Sequence, residues 1–330
     1  MRSVLRSMYE MVQDNGFLAF QNQVIRSAYE GLGQGYSAND NEVALVTRLV
    51  TSINGKSYKQ LRLLANKIHG SRSYVEFDYR DKPTTKELGD MVVITAVTNG
   101  SQRLFQRLCI IQNKKASGGK WGIDREQLYL LKNFPPLSGN RGILRGSHNI
   151  AFRNTSQCLG AFGLLFEPGE MIFASAGLIT EMSRGEDSLS RDRIAMPSHA
   201  GMNTSSQSSI FSALPWMHFH PMEVHHLLHE LEEYVGCFPW SFGGQQFMGN
   251  TIYANDICDL IRAWTQLSIG EVTCSDGKII NREVDDFTNH LIRNAGFGEG
   301  IEFSFQDSNI ERRFLGDVTV FMMHLDVANQ

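Results

Sequence analysis

The sequence predicts an α/β protein, a mixed four- to five-stranded sheet flanked by helices in the first half, followed by an α+β region. Two observations carry that expectation. Apolar residues recur at helical spacing over the first 70 positions, and strand-like runs rich in β-branched and aromatic residues follow. A capped amphipathic stretch then succeeds three such runs, the order in which a sheet acquires a covering helix.

The elements can be taken in turn. Val24, Ile25, Ala28 and Tyr29 form a helical stripe that GLGQG at 31–35 ends. Asn39 or Asp40 is placed to cap a helix from Asn41 to about Thr51 with Val43, Leu45, Val46, Leu49 and Val50 as its apolar positions. Ser57 is placed to cap another through Leu61, Leu64, Ala65 and Ile68, closed by Gly70. SYVEFDYR (73–80), DMVVITAV (90–97) and RLFQRLCIIQNKK (103–115) read as strands, with DKPTTKELG as a connection. Asp124 caps a helix over Arg125–Asn133, and Pro135-Pro136 stops it. A strand is expected near 142–152. Two more are expected around Pro168-Gly169. Residues 184–212 read as a long polar loop, 221–235 and 253–267 as helices, and 301–305 with 318–325 as a closing pair of strands. The 330 residues divide, on this reading, into 1–150 and 151–330.

Composition narrows the function classes. No run of about 18 apolar residues is present to span a bilayer, and the N-terminus lacks a signal-peptide block, so a cytoplasmic protein without membrane contact is expected. Five cysteines without a CxxC pair argue against a disulfide framework. The net charge of −4 does not announce a nucleic-acid binder, yet Ser101–Arg153 holds ten Lys or Arg against two acids. Arg103, Arg107, Lys115, Lys120 and Arg125 are the candidate phosphate contacts in that window.

The chemistry concentrates in the strand block. Asp90 opens the second strand, and Gln112 and Lys114 stand near the end of the third. Strand alternation points 112 and 114 the same way, and a neighbouring strand can set Asp90 beside them. Phosphodiester hydrolysis needs a cation that neutralises phosphate and lowers the pKa of an attacking water. Mg²⁺ or Mn²⁺ takes oxygen ligands, which Asp90 and the Gln112 amide can supply. Lys114 can hold the water or stabilise phosphate charge.

ELGD followed some twenty residues later by IIQNKK resembles the PD-(D/E)XK nucleases over about residues 40–135, in the Gln-containing form of Mrr-type restriction enzymes. Gly89 replaces the proline of the motif, and Gln112 replaces its second carboxylate. The resemblance implies a restriction-endonuclease-like core and a metal-dependent endonuclease, acting on DNA more than RNA, in restriction or antiphage defence. It also implies supporting roles for Glu42, on the first helix of the block, and Gln127, on the helix after the third strand. Such nucleases often work beside an ATPase or sensor subunit. A homo-oligomer or a complex with a regulatory or ATPase subunit is therefore expected here, with contacts mainly from 150–330.

Two other function classes stand beside this one. His218, His220, His225, His226 and His229 include an i, i+4 pair and an HxHP that resembles JAMM-type zinc hydrolases, without that family's downstream Ser and Asp. The third reading is a catalytically silent, partner-binding subunit of a defence complex.

Overall fold

The computed structural model describes residues 11, 14–34, 36–37, 39–68, 73–141, 144, 148–152, 158–183, 185–191, 240–242, 245–247, 253–275, 277–295, 297 and 318–328. Its helices are α1 (Asn15–Gly33), α2 (Glu42–Ile53), α3 (Arg125–Asn133), α4 (Ala176–Ser183), α5 (Ile257–Thr265) and α6 (Arg282–Asn294). Each begins where a side-chain oxygen meets an otherwise free first-turn amide: Asp14, Asn41, Asp124, Ser175, Asp256 and Asn281 respectively. The α2 cap is thus Asn41, and Asp40 instead forms a two-pronged ion pair with Arg48 at 3.0 and 3.1 Å.

The strands are β1 (Ser57–Tyr58), β2 (Leu61–Ile68), β3 (Tyr74–Tyr79), β4 (Lys82–Glu87), β5 (Met91–Asn99), β6 (Gln102–Lys115), β7 (Lys120–Gly122), β8 (Leu137–Gly139), β9 (Gly160–Phe166), β10 (Glu170–Ser175), β11 (Ser188–Ser190), β12 (Trp240–Phe242), β13 (Gln245–Phe247), β14 (Tyr253–Ala254), β15 (Glu271–Ser275), β16 (Lys278–Ile279) and β17 (Val318–Asp326). Ten of them form one mixed sheet, ordered β1-β2-β17-β5-β6-β9-β10-β14, with β15 and β16 branching from β6.

The long strand β6 organises this sheet. One of its edges runs antiparallel to β5. Its other edge pairs with antiparallel β15 over Phe105–Leu108 and with parallel β9 over Ile110–Lys115. The β6–β9 crossover carries α3, as a parallel pair requires. Gly160 lets that helix close on the sheet, because a Cβ there would lie 2.0 Å from the Leu131 carbonyl oxygen. Met91, Val93, Cys109 and Ile111 face a core shared with α1, α2 and α5. Val92, Ile94, Leu108 and Ile110 face a second core under α3, α4 and α6. A sheet covered on both faces explains the uninterrupted apolar run of β5. The α/β class and the mixed sheet flanked by helices stand as expected.

Several elements differ from expectation. Residues 61–68 form a strand, not a helix. Leu61, Leu63 and Ala65 are buried while Arg62 is exposed, a period of two, and pairing from Leu61↔Leu325 to Ile68↔Val318 secures it. Leu61, Leu64, Ala65 and Ile68 fit the helical period while Leu61, Leu63 and Ala65 fit the period of two, so only the distant partner decides. DKPTTKE is no mere connection, since β4 pairs with β3 through a turn whose Arg80 and Asp81 both have positive φ (52° and 60°). That two-residue turn matches strand twist, and Pro83 is tolerated because β4 is an edge. The hairpin belongs to a separate sheet, β4-β3-β8, so the 73–80 strand does not neighbour β5. Of the segment expected as a strand near 142–152, Ile150 bridges Leu137 of β8, and residues 142–143 and 145–147 lie outside the described residues. Helix α5 starts at Ile257 because Tyr253–Ala254 joins β10 as β14. In the expected 184–212 loop, Ser188–Ser190 pairs with β7 as β11. Residues 192–212, 221–235 and 301–305 lie outside the described residues.

The segment expected to close the fold with 301–305, β17, instead sits inside the sheet, parallel to β5 and antiparallel to β2. Strands from before and after residue 150 therefore share one sheet, and the division expected there does not coincide with a break in it. No described helix is long and apolar enough to cross a membrane.

Candidate active site

β6 outruns β5. The last ladder bond on their shared edge is Asp90 N–H to the Ile111 carbonyl, at 3.1 Å. Beyond it the amides of 113 and 115 face that edge with no strand carbonyl opposite. Carboxylates take their place. Asn113 N–H donates to Asp90 Oδ2 at 2.8 Å, and Lys115 N–H donates to Glu42 Oε1 at 3.1 Å. Amides two residues apart on a strand are about 7 Å apart, so the Asp90 and Glu42 carboxylates are held side by side.

Asp90 also accepts from Gln112 Nε2 at 2.7 Å, again through Oδ2. Its Oδ1 carries no hydrogen bond among the described residues. By alternation Gln112 and Lys114 share the face of β6 that Leu108 and Ile110 present to α3. Sequence-predicted Asp90, Gln112 and Lys114 are thus brought together, with Glu42 beside them. Lys114 is half-buried, and its ammonium makes no hydrogen bond or ion pair with the described residues.

The electrostatics follow from this placement. Asp90 is surrounded by protein yet keeps contact with solvent, as a carboxylate does in a recess. Burial pushes its carboxyl above the usual carboxylate range. The Asn113 amide, the Gln112 amide and the Lys114 charge pull it down, and the Glu42 charge pushes it up.

Gln127 does not touch Asp90. Its Nε2 donates at 2.6 Å to the carbonyl of Glu87, three residues before Asp90. Lys86 bonds Asp124 at 2.6 Å and Glu126 at 2.8 Å. Together these fix the start of α3 to the segment that delivers Asp90. Gly89 completes the delivery, because a Cβ there would meet Ile110 Cγ2 at 2.8 Å and the Ile111 carbonyl oxygen at 3.2 Å. Gly89→Ala should therefore cost about 1–2 kcal/mol, read by urea denaturation, since the added methyl must displace β6 or Asp90.

The basic residues do not gather here. Arg103 lies nine residues down β6 from Gln112, about 30 Å away. It pairs with buried Asp285 at 2.8 Å and donates to Asn289 at 2.8 Å. Arg107 is 1% exposed and donates to the Gly270 carbonyl at 2.9 Å. Neither offers a charge to solvent at the site, which corrects their expected role. Alternation marks a side chain's face but not how far from the strand end its ladder partners cover it. Lys115 is spent on backbone carbonyls. Arg125 is ion-paired with Asp187. Lys120 is exposed on β7, just past the end of β6.

No family model, no curated protein and no solved structure matches this chain.

Whether the donor set suits a hard divalent cation can be asked of the residues themselves. Gln112 Oε1 is buried without a hydrogen-bond partner, an orphan acceptor on the same amide whose nitrogen bonds Asp90. With Glu42 this makes an all-oxygen set that Mg²⁺ or Mn²⁺ accepts. Among the described residues no group of three or more His, Cys, Asp or Glu gathers as a metal site. The candidate zinc cluster, His218 to His229, lies outside the described residues. Sequence reasoning missed the Asn113 and Lys115 amides and the orphan on Gln112. Backbone donors leave no residue-type signal, although a third strand longer than the second, 14 residues against 9, is one.

Proposed function

We propose that this chain is a divalent-cation-dependent nuclease of PD-(D/E)XK type with a restriction-endonuclease-like core, cutting DNA in preference to RNA. One observation carries the reading. Asp90 and Gln112 are bonded cross-strand neighbours, and Lys114 lies on the same face with its ammonium uncommitted among the described residues. The antiparallel β5–β6 pair, the α3 crossover and parallel β9 give the mixed setting expected of such a core.

Asp90 Oδ1 and Gln112 Oε1, with Glu42, would hold Mg²⁺ or Mn²⁺. The cation would neutralise phosphate and lower the pKa of the attacking water. Lys114 serves the phosphate oxygens as negative charge develops on them, worth most in a recess where water is scarce. Asn113 N–H keeps the Asp90 carboxylate turned so that Oδ1 stays open. We further place the protein in the cytoplasm, in restriction or antiphage defence, as a homo-oligomer or with a regulatory or ATPase subunit.

A second reading, a catalytically silent subunit, draws on the Gln112 amide. Its nitrogen, not its oxygen, faces Asp90, so the carboxylate is partly satisfied without a cation. One experiment separates the two. The purified chain is incubated with supercoiled plasmid or with RNA, in Mg²⁺ or Mn²⁺. The nuclease reading expects plasmid nicking that Lys114→Ala slows by about 10²–10³-fold. Cleavage indifferent to Lys114, or DNA bound but never cut, would sink it.

A further inference from the structure

Lys115 projects from the face of β6 opposite Lys114, away from any phosphate bound near Asp90. Its ammonium donates to the carbonyl oxygens of Ser37, at 2.8 Å, and Asp40, at 2.5 Å, and lies 5.2 Å from the centroid of the Tyr36 ring. Ser37 N–H in turn donates to Asp40 Oδ2 at 2.8 Å, and Arg48 holds the same carboxylate. The side chain of Lys115 thus grips the approach to α2, while its backbone N–H, at 3.1 Å, grips Glu42 in the first turn.

A cation at a helix N-terminus stands at the unfavourable end of the helix dipole. Four rotatable bonds are also frozen to keep it there. Attraction to the Asp40 carboxylate offsets part of these costs. The double grip does one thing a shorter or neutral residue would not. It fixes the first turn of α2 against the overhanging end of β6, where the neighbouring free amide holds Asp90. We infer that Lys115 is a positioning residue that holds the Glu42 carboxylate beside Asp90 as the second acidic oxygen donor of the site. What Glu42 then does, helping to bind a divalent cation, rests on the nuclease reading above. The grip itself does not.

The test uses the purified full chain and Mn²⁺ alone. Mn²⁺ affinity is followed by loss of the free-ion electron paramagnetic resonance signal, and amide hydrogen exchange is followed over residues 42–46. Lys115→Met is expected to weaken Mn²⁺ binding about 10-fold, as losing support for a ligand does, and to speed exchange in 42–46. Glu42→Gln should weaken binding by a similar factor, and the double variant by no more than either alone. Lys115→Arg, which can still donate to both carbonyls, should restore most of the affinity. Lys115→Gln replaces the Met variant if that one does not fold. Unchanged Mn²⁺ affinity in folded Lys115→Met, or losses that simply add in the double variant, overturns the inference. If the unaltered chain binds no Mn²⁺, the nuclease reading fails by itself and exchange decides the grip: faster exchange in Lys115→Met retains it, and unchanged exchange ends it.

Discussion

On the nuclease reading, Asp90→Asn should abolish cleavage, by at least about 100-fold, and at the same time raise the melting temperature. The two effects share a cause. Asn is nearly isosteric, and its single side-chain oxygen can accept from both the Asn113 amide and Gln112 Nε2, as Oδ2 does now. What is lost is the charge. Because burial raises the Asp90 carboxyl in the folded protein, the folded state holds that proton to higher pH than the unfolded chain does. Stability is therefore drawn down as pH climbs from the unfolded value through the folded one, and stays reduced above it. The variant escapes that penalty. Without divalent ions its melting temperature should exceed that of the unaltered chain at about pH 8, and the two should converge toward about pH 4. A variant less stable at every pH would show that Asp90 serves the fold rather than the chemistry.

Arg103→Ala should have the largest effect on the fold, about 3 kcal/mol of lost stability by chemical denaturation. Removing the guanidinium leaves the Asp285 carboxylate, whose side chain is 1% exposed, without its countercharge and holding only neutral donors such as the Gln106 and Asn289 amides, and it takes a donor from the oxygen of each of those amides. A buried carboxylate without its countercharge is costlier than the pair was worth. Any change in DNA affinity should follow the folded fraction alone. A stable Arg103→Ala that binds DNA more weakly and with a shallower salt dependence would return this arginine to the phosphate contacts.

These expectations show where the sequence was legible. Helix α3 was readable to the residue, because Asp124 and Pro135-Pro136 are local signals. The strands β5 and β6 were readable because a sheet buried on both faces leaves an apolar run. Asp90, Gln112 and Lys114 could be placed together because strand parity is arithmetic. The 61–68 segment misled because its apolar residues fit two periods, and a partner some 260 positions away chose between them. Arg103 and Arg107 misled for a related reason. An arginine bound for solvent and one bound for Asp285 or Gly270 look alike until β15 and α6 are in place. Lys115 is the subtlest case, since its neighbour Lys114 has the same residue type, almost the same position and the opposite face.

Between β2 and β5 lies β17, whose Thr319 amide donates to the Asp90 carbonyl at 3.0 Å. During synthesis the ribosome makes β2 and β5 more than 200 residues before it makes the strand that separates them. Until residue 326 has cleared the exit tunnel, the Asp90 strand lacks one of its two neighbours. Closing so long a loop is slow. On the nuclease reading the enzyme is thereby timed. A nascent or truncated chain carries every residue of the site and still lacks the strand that braces Asp90, so cutting power arrives only with the finished sheet.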